Sequence, residues 1–139
     1  MNEVMQTILQ RRSCKQYSDR PVPEELLDQV LLAGTWAANG MGRQAGRIVA
    51  LTKKEDVAEL ERLNAKVLGN PDAHPFYGAP VVLAVLADPA VNTAVEDGSL
   101  IIGNMLLAAQ SLGLGACWVH RAREEFAGPE GKALLARWG

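Results

Sequence analysis

Long hydrophobic runs are missing from this chain of 139 residues. The longest, Ala79–Ala87 (APVVLAVLA), falls well short of the roughly 20 apolar residues that a membrane-spanning helix needs. The opening stretch, MNEVMQTILQRRS, has no charged-then-apolar leader. A cytoplasmic protein without a membrane partner is therefore expected. A basic excess is also missing: the net charge is -2 and the isoelectric point is near 5.7. That argues against a general nucleic-acid binder, whose phosphate contacts call for clustered Lys and Arg. Cysteine is scarce, with only Cys14 and Cys117, which form no CxxC pair and have no metal-ligand spacing. Two reduced thiols that serve as small packing residues are expected. With only His74 and His120 and no HExxH pattern, a metal site is not expected either. Nothing resembles a Ser-His-Asp or paired-carboxylate arrangement.

What is present reads as one compact domain of mixed helix and strand. Val4, Met5, Ile8 and Leu9 recur at helical spacing, so the chain should open with a short amphipathic helix that runs out near Arg12 and Ser13. Pro21 and Pro23 force an extended approach to a second helix, whose inner face is Leu26, Leu27, Val30, Leu31 and Gly34. Three glycines in residues 38–46 (ANGMGRQAG) predict an irregular loop. Residues 47–52 (RIVALT) read as a strand and 54–68 as a helix, followed by a Pro- and Gly-rich loop over 69–80. Residues 81–87 (VVLAVLA) are apolar without alternation, as in a strand covered on both faces. Residues 96–115 predict a long helix, apolar nearly all round, that belongs in a core or a subunit interface. Within it, Asn104 needs hydrogen-bond partners and is expected to play a structural part. A short strand over 116–120 (ACWVH) and a last helix over 129–139 complete the chain. The class is α+β, or mixed α/β, around a small sheet.

The stretch Gln10–Leu26 (QRRSCKQYSDRPVPEEL) sets four cations, Arg11, Arg12, Lys15 and Arg20, around Ser13 in a chain that is slightly acidic overall. Two readings stand side by side. Arg and Lys near a helix end help to satisfy its last carbonyls, which would make the cluster a solvated cap. Alternatively, guanidinium forks, an ammonium and a hydroxyl form a donor set suited to phosphate oxygens. A helix C-terminus repels anions, so the side chains themselves would have to do the gripping.

The order of motifs resembles the nitroreductase family of flavoenzymes, in its small single-domain branch. The residues that carry the likeness are Arg-Arg-Ser-x-Lys at 11–15, YSDRPVPEELL at 17–27, the Gly-rich loop with Arg43-Gln44 ahead of a strand, YGAPVVLAVLAD at 77–88, and EDGSLIIGNMLLAAQSLGLGACWVH at 96–120. The likeness covers essentially the whole chain. It implies a three-layer fold with a small central sheet flanked by helices, and a homodimer with the long apolar helix at its centre. It implies FMN, bound without a covalent bond, with NADH or NADPH as electron donor and a small-molecule acceptor such as a nitroaromatic or a quinone. Arg11, Arg12, Ser13 and Lys15 would lie on the FMN, Arg11 and Ser13 at the phosphate and ribityl end and Lys15 near the pyrimidine edge. Asn39, Gly40, Met41 and Gln44 would approach the flavin of the other subunit, and Ala116, Cys117 and Trp118 would lie along the ring. The flavin would carry the chemistry, so no catalytic side chain is expected.

Two departures from the family pattern matter. Relatives carry Asn-x-Gln-Pro-Trp in the Gly-rich loop; here Gly42 takes the Asn position, Gln44 is kept, and Ala45-Gly46 replace Pro-Trp. Relatives also continue past the equivalent of LLARWG with a strand and a basic tail. A chain without them is expected to hold FMN more weakly. The competing expectations are a degenerate FMN-binding module without turnover and a dimeric module without cofactor.

Overall fold

A computed structural model describes residues Met1–Gly139. Six helices and two strands occur in the order α1 (Glu3–Gln10), α2 (Glu24–Thr35), β1 (Gly46–Leu51), α3 (Lys54–Leu68), β2 (Val82–Ala87), α4 (Ala94–Ser111), α5 (Ala122–Ala127) and α6 (Pro129–Arg137), with a tight 3-10 turn at Gly40–Gly42 ahead of β1. Local chemistry accounts for the boundaries. Asn2 caps α1, its side-chain oxygen accepting from the Met5 N–H at 3.0 Å. Gly69 ends α3 in the left-handed region (φ 81°), and the Asn70 N–H reaches back to the Ala65 carbonyl. Gly113 (φ 75°) does the same for α4, where the Leu114 N–H meets the Ala109 carbonyl at 2.8 Å. Pro129 starts α6 at a position where its missing N–H costs nothing.

Strands β1 and β2 pair with each other, and the Asp88 N–H donates to the Ala45 carbonyl, so the start of β1 lies beside the end of β2. The expected third strand over 116–120 is not formed. The backbone there makes a single parallel bridge, Ala116 to Ser13, and one bridge is not a ladder. The short helix α5 occupies a stretch for which the sequence suggested no element.

The chain divides into two compact units. The first comprises Met1–Lys15, Val22–Ile48 and Val85–Trp118. In it α2 packs closely on α4: a Cβ at Gly34 would stand 2.7 Å from the Ile48 side chain and 2.9 Å from that of Met105, so a larger residue there would require those side chains to shift. The Asn104 amide donates to the Ala33 carbonyl at 3.0 Å, the structural role expected of it. Yet α4 buries only Asp97, Met105 and Ala109, and α1 buries nothing. Val4, Ile8, Leu9, Leu32, Trp36, Val95 and Leu100 all remain exposed, Trp36 at 81% and Val95 at 76%.

The second unit comprises Gln16–Pro21, Val49–Ala84 and Val119–Gly139. Its core is Leu51, Leu60, Leu63, Phe76 and Leu134, edged by the Phe126 and Trp138 rings, which meet edge to face at 5.7 Å. Asn64, wholly buried on α3, donates to the His120 carbonyl (2.9 Å) and to Glu125 Oε2 (3.0 Å), and accepts from Arg121 Nε (2.9 Å). The other carboxylate oxygen of Glu125 is buried without a partner. Burial raises the Glu125 pKa, against the opposing pull of the Asn64 bond and of Arg121.

Candidate cofactor site

The site begins where α1 ends. The Arg11 N–H closes the helix on the Thr7 carbonyl at 3.0 Å. The Arg12 guanidinium folds back to the carbonyls of Leu9 (2.7 Å) and Arg11 (2.8 Å), so for this residue the helix-cap reading is realised. Ser13 then bridges Ala116, and the Cys14 N–H donates to the Ala116 carbonyl at 3.0 Å. This pairing sets the Arg-Arg-Ser-x-Lys stretch directly against the Ala116-Cys117-Trp118 stretch, which follows α4. An open cavity of about 390 Å³ lies there, lined by Arg12, Ser13, Cys14, Gln110 and residues 113–115. No acidic side chain is among its lining residues. Ser13 and Lys15 are exposed and Arg11 is half-buried beside them. Cys117 and Trp118 follow Ala116, the thiol lying 3.7 Å from the Trp118 carbonyl.

A second cluster is built at the other end of α4. Residues 39–44 form a strained turn in which Met41 (φ 55°), Gly42 (φ 64°) and Gln44 (φ 51°) all adopt left-handed backbone. Asn39 Oδ1 accepts from the Gln44 N–H at 2.8 Å, and the Gly40 N–H donates to Asp97 Oδ1 at 2.9 Å. The Thr93 hydroxyl donates to the other oxygen of Asp97 at 3.0 Å. Met41 projects outward, 86% exposed. Gly42 stands in open space, with nothing within 4 Å of an added Cβ.

All of the residues singled out from the sequence (Arg11, Arg12, Ser13, Lys15, Asn39, Gly40, Met41, Gln44, Ala116, Cys117 and Trp118) fall in the first unit. They form two groups. Arg11–Lys15 and Ala116–Trp118 meet near Gln110, whereas Asn39–Gln44 is tied to Asp97. Asp97 and Gln110 are thirteen helical steps apart, about 20 Å along the axis. Sequence reasoning missed Asp97 and Thr93. The available signal was the acidic pair Glu96-Asp97 at the start of a largely apolar helix.

The comparisons with known proteins bear on the family and the fold. The model of the nitroreductase family matches residues 8–76 and 68–126, and the chain belongs to that family. A Methanothermobacter thermautotrophicus protein, whose name pairs NADH dehydrogenase with NAD(P)H nitroreductase, is 35% identical over 124 residues. The match covers 84% of this chain and 60% of that protein. A Bacillus subtilis protein named FMN reductase [NAD(P)H] is 29% identical over 142 residues, covering 88% of this chain and 56% of its own. The chain thus spans somewhat over half the length of these two relatives. Among solved structures, a Bacteroides fragilis nitroreductase with bound FMN superposes with a TM-score of 0.91 at 30% identity, covering all of this chain and 81% of that one. The mixed α+β, nitroreductase-like fold expected from the sequence is borne out by that superposition.

Proposed function

We propose that the protein is an FMN-dependent NAD(P)H oxidoreductase of the cytoplasm that reduces a small acceptor such as a nitroaromatic or a quinone. The observation that carries this reading is the Ser13–Ala116 bridge, with the Cys14–Ala116 hydrogen bond beside it. It joins two stretches that are distant in sequence and that the family resemblance assigns to the same flavin. The bound FMN of the Bacteroides fragilis structure and the name of the Bacillus subtilis relative support it.

The residues present fit the cofactor. The stretch Arg12–Cys14 lines a cavity whose lining holds no carboxylate, and Arg11 and Lys15 flank that stretch in the chain, so that with the Ser13 hydroxyl it makes a cationic, donor-rich rim segment. Such a rim matches a phosphate and the polar edge of a flavin. In this reading Arg11 and Ser13 hold the phosphate and ribityl end, and Lys15 opposes the negative charge that the pyrimidine edge gains on reduction. The exposed Trp118 and the backbone of Cys117 flank the ring. Bound there, FMN supplies the hydride relay between nicotinamide and acceptor, so the protein contributes binding, orientation and charge.

A second copy of the chain completes the site. The roughly 20 Å along α4 between the two clusters sets Asn39–Gln44 apart from the cavity within one chain, which favours its serving the flavin of a partner. The exposed apolar side chains of α1, α2 and α4 are the surface such a homodimer covers. Steady-state kinetics of the FMN-loaded protein test the function. With NADPH and a quinone varied together, parallel double-reciprocal lines are expected, since donor and acceptor use the same site in turn. The absence of NAD(P)H oxidation with every acceptor tried would sink the reading.

A further inference from the structure

Asp97 is the only charged side chain buried in the first unit, 2% exposed. A buried carboxylate is tolerated only when its oxygens are bonded. Here the two partners are unequal in kind. The Thr93 hydroxyl comes from the N-cap position of the same helix, whereas the Gly40 N–H comes from 57 residues away. The position of Asp97 near the start of α4 adds the favourable field of the helix N-terminus. Approach is tight on the loop side as well. A Cβ on Gly40 would run into the Thr93 hydroxyl and stand 3.0 Å from Thr93 Cβ. The segment held in this way is a strained one, since Met41 and Gln44 are non-glycine residues with positive φ. Such backbone persists only where its surroundings enforce it.

We propose that Asp97 is the positioning residue of the flavin-facing loop: from inside α4 it clamps Gly40, and so holds residues 39–44 in the strained form that presents Met41 and Gln44. The proposal rests on the flavin reading above. Asp97 touches neither cofactor nor substrate and acts through Gly40. Asn at this position keeps an acceptor for Gly40 and offers an amide to the Thr93 oxygen, so Asp97→Asn should retain the clamp. Asp97→Ala leaves the Gly40 N–H with no partner.

Limited trypsin digestion of the full chain, without FMN, reads the loop directly through cleavage after Arg43. FMN binding is measured separately by quenching of flavin fluorescence. In Asp97→Ala, cleavage after Arg43 is expected to quicken relative to other sites, and FMN affinity to fall about tenfold or more. Asp97→Asn should recover both. Gly40→Ala breaks the same junction from the loop side with α4 intact, and should reproduce the Asp97→Ala effects if that variant folds poorly. The proposal is overturned if Arg43 is cut no faster in Asp97→Ala and Gly40→Ala than in the wild type. It is also overturned if both variants bind FMN as the wild type does. Wild-type protein that takes up no FMN would overturn the flavin reading instead, while the digestion still decides whether Asp97 holds the loop.

Discussion

The Cys14 N–H and the Ala116 carbonyl meet at 3.0 Å, which makes the end of α1 and the end of α4 one piece of backbone structure. The cations around this junction do not share one role. Arg12 lines the cavity, but its guanidinium is committed to the carbonyls of Leu9 and Arg11, whereas Arg11 and Lys15 stand on either side of the lining stretch Arg12–Cys14 in the chain. Arg11→Ala and Lys15→Ala are each expected to weaken FMN binding roughly tenfold to a hundredfold, the worth of one charge-assisted hydrogen bond. Arg12→Ala should weaken it less and instead loosen α1. Fluorescence titration of the three variants checks the ranking, and equal losses in all three would contradict it.

Glu125 gives stability a pH dependence of unusual sign. Burial lifts its folded pKa above the ordinary 4.5, so the folded chain holds this proton more tightly than the unfolded chain does. The contribution is fully present below about pH 4.5 and is lost as pH rises through the folded value. The slope cannot exceed about 1.4 kcal/mol per pH unit for a single proton. Glu125→Gln keeps an acceptor for Asn64 and should abolish this component. Urea denaturation across pH 4 to 8 is the measurement.

Glu130 behaves in the opposite way. Hydrogen bonds from Lys66 (2.7 Å) and Arg62 (2.6 Å) lower its pKa to about 2. Its stabilisation is present above the unfolded value of 4.5 and disappears as pH falls through about 2. The pairs are exposed, so the effect should be small and should fade with salt. Glu130→Gln is expected to reduce slightly, not abolish, the salt dependence of the acid limb of thermal unfolding, since the Arg137–Glu59 pair remains.

The uncovered apolar side chains of α4 predict an oligomer. Leu100 is half-exposed near the middle of that helix. Leu100→Glu should convert a dimer into a monomer in sedimentation velocity, because a charge at the core of an interface cannot shed its water without a partner. A wild-type chain that sediments as a monomer at every concentration would contradict the two-copy site.

Local pattern made much of the fold legible. The bounds of α3 agree with its sequence reading, because apolar spacing and a terminal Gly69 both mark them. The strands at Gly46–Leu51 and Val82–Ala87 differ from expectation by a residue. Errors arose where long-range geometry decides. Ala116–His120 has the apolar character of a strand, but its one pairing partner is Ser13, more than a hundred residues earlier. The polar stretch Ala122–Ala127 becomes helical where Glu125 meets Asn64 of α3, a contact invisible to periodicity. Within the site, residue types announced the cationic stretch Arg11–Lys15, but nothing local showed that Arg12 turns back on its own helix. Nor could spacing pair Asp97 with Gly40. The resemblance to a family named the loop, while its anchor became visible only in three dimensions.

The central claim is a working flavin site at the Ser13–Ala116 junction, and the visible absorption spectrum tests it most directly. The purified full chain, incubated with FMN and freed of excess, is recorded before and after anaerobic NADPH. Flavin bands that stay with the protein and bleach on NADPH are the predicted result. Protein that remains colourless after incubation with FMN, or bands that NADPH leaves unchanged, would contradict the account.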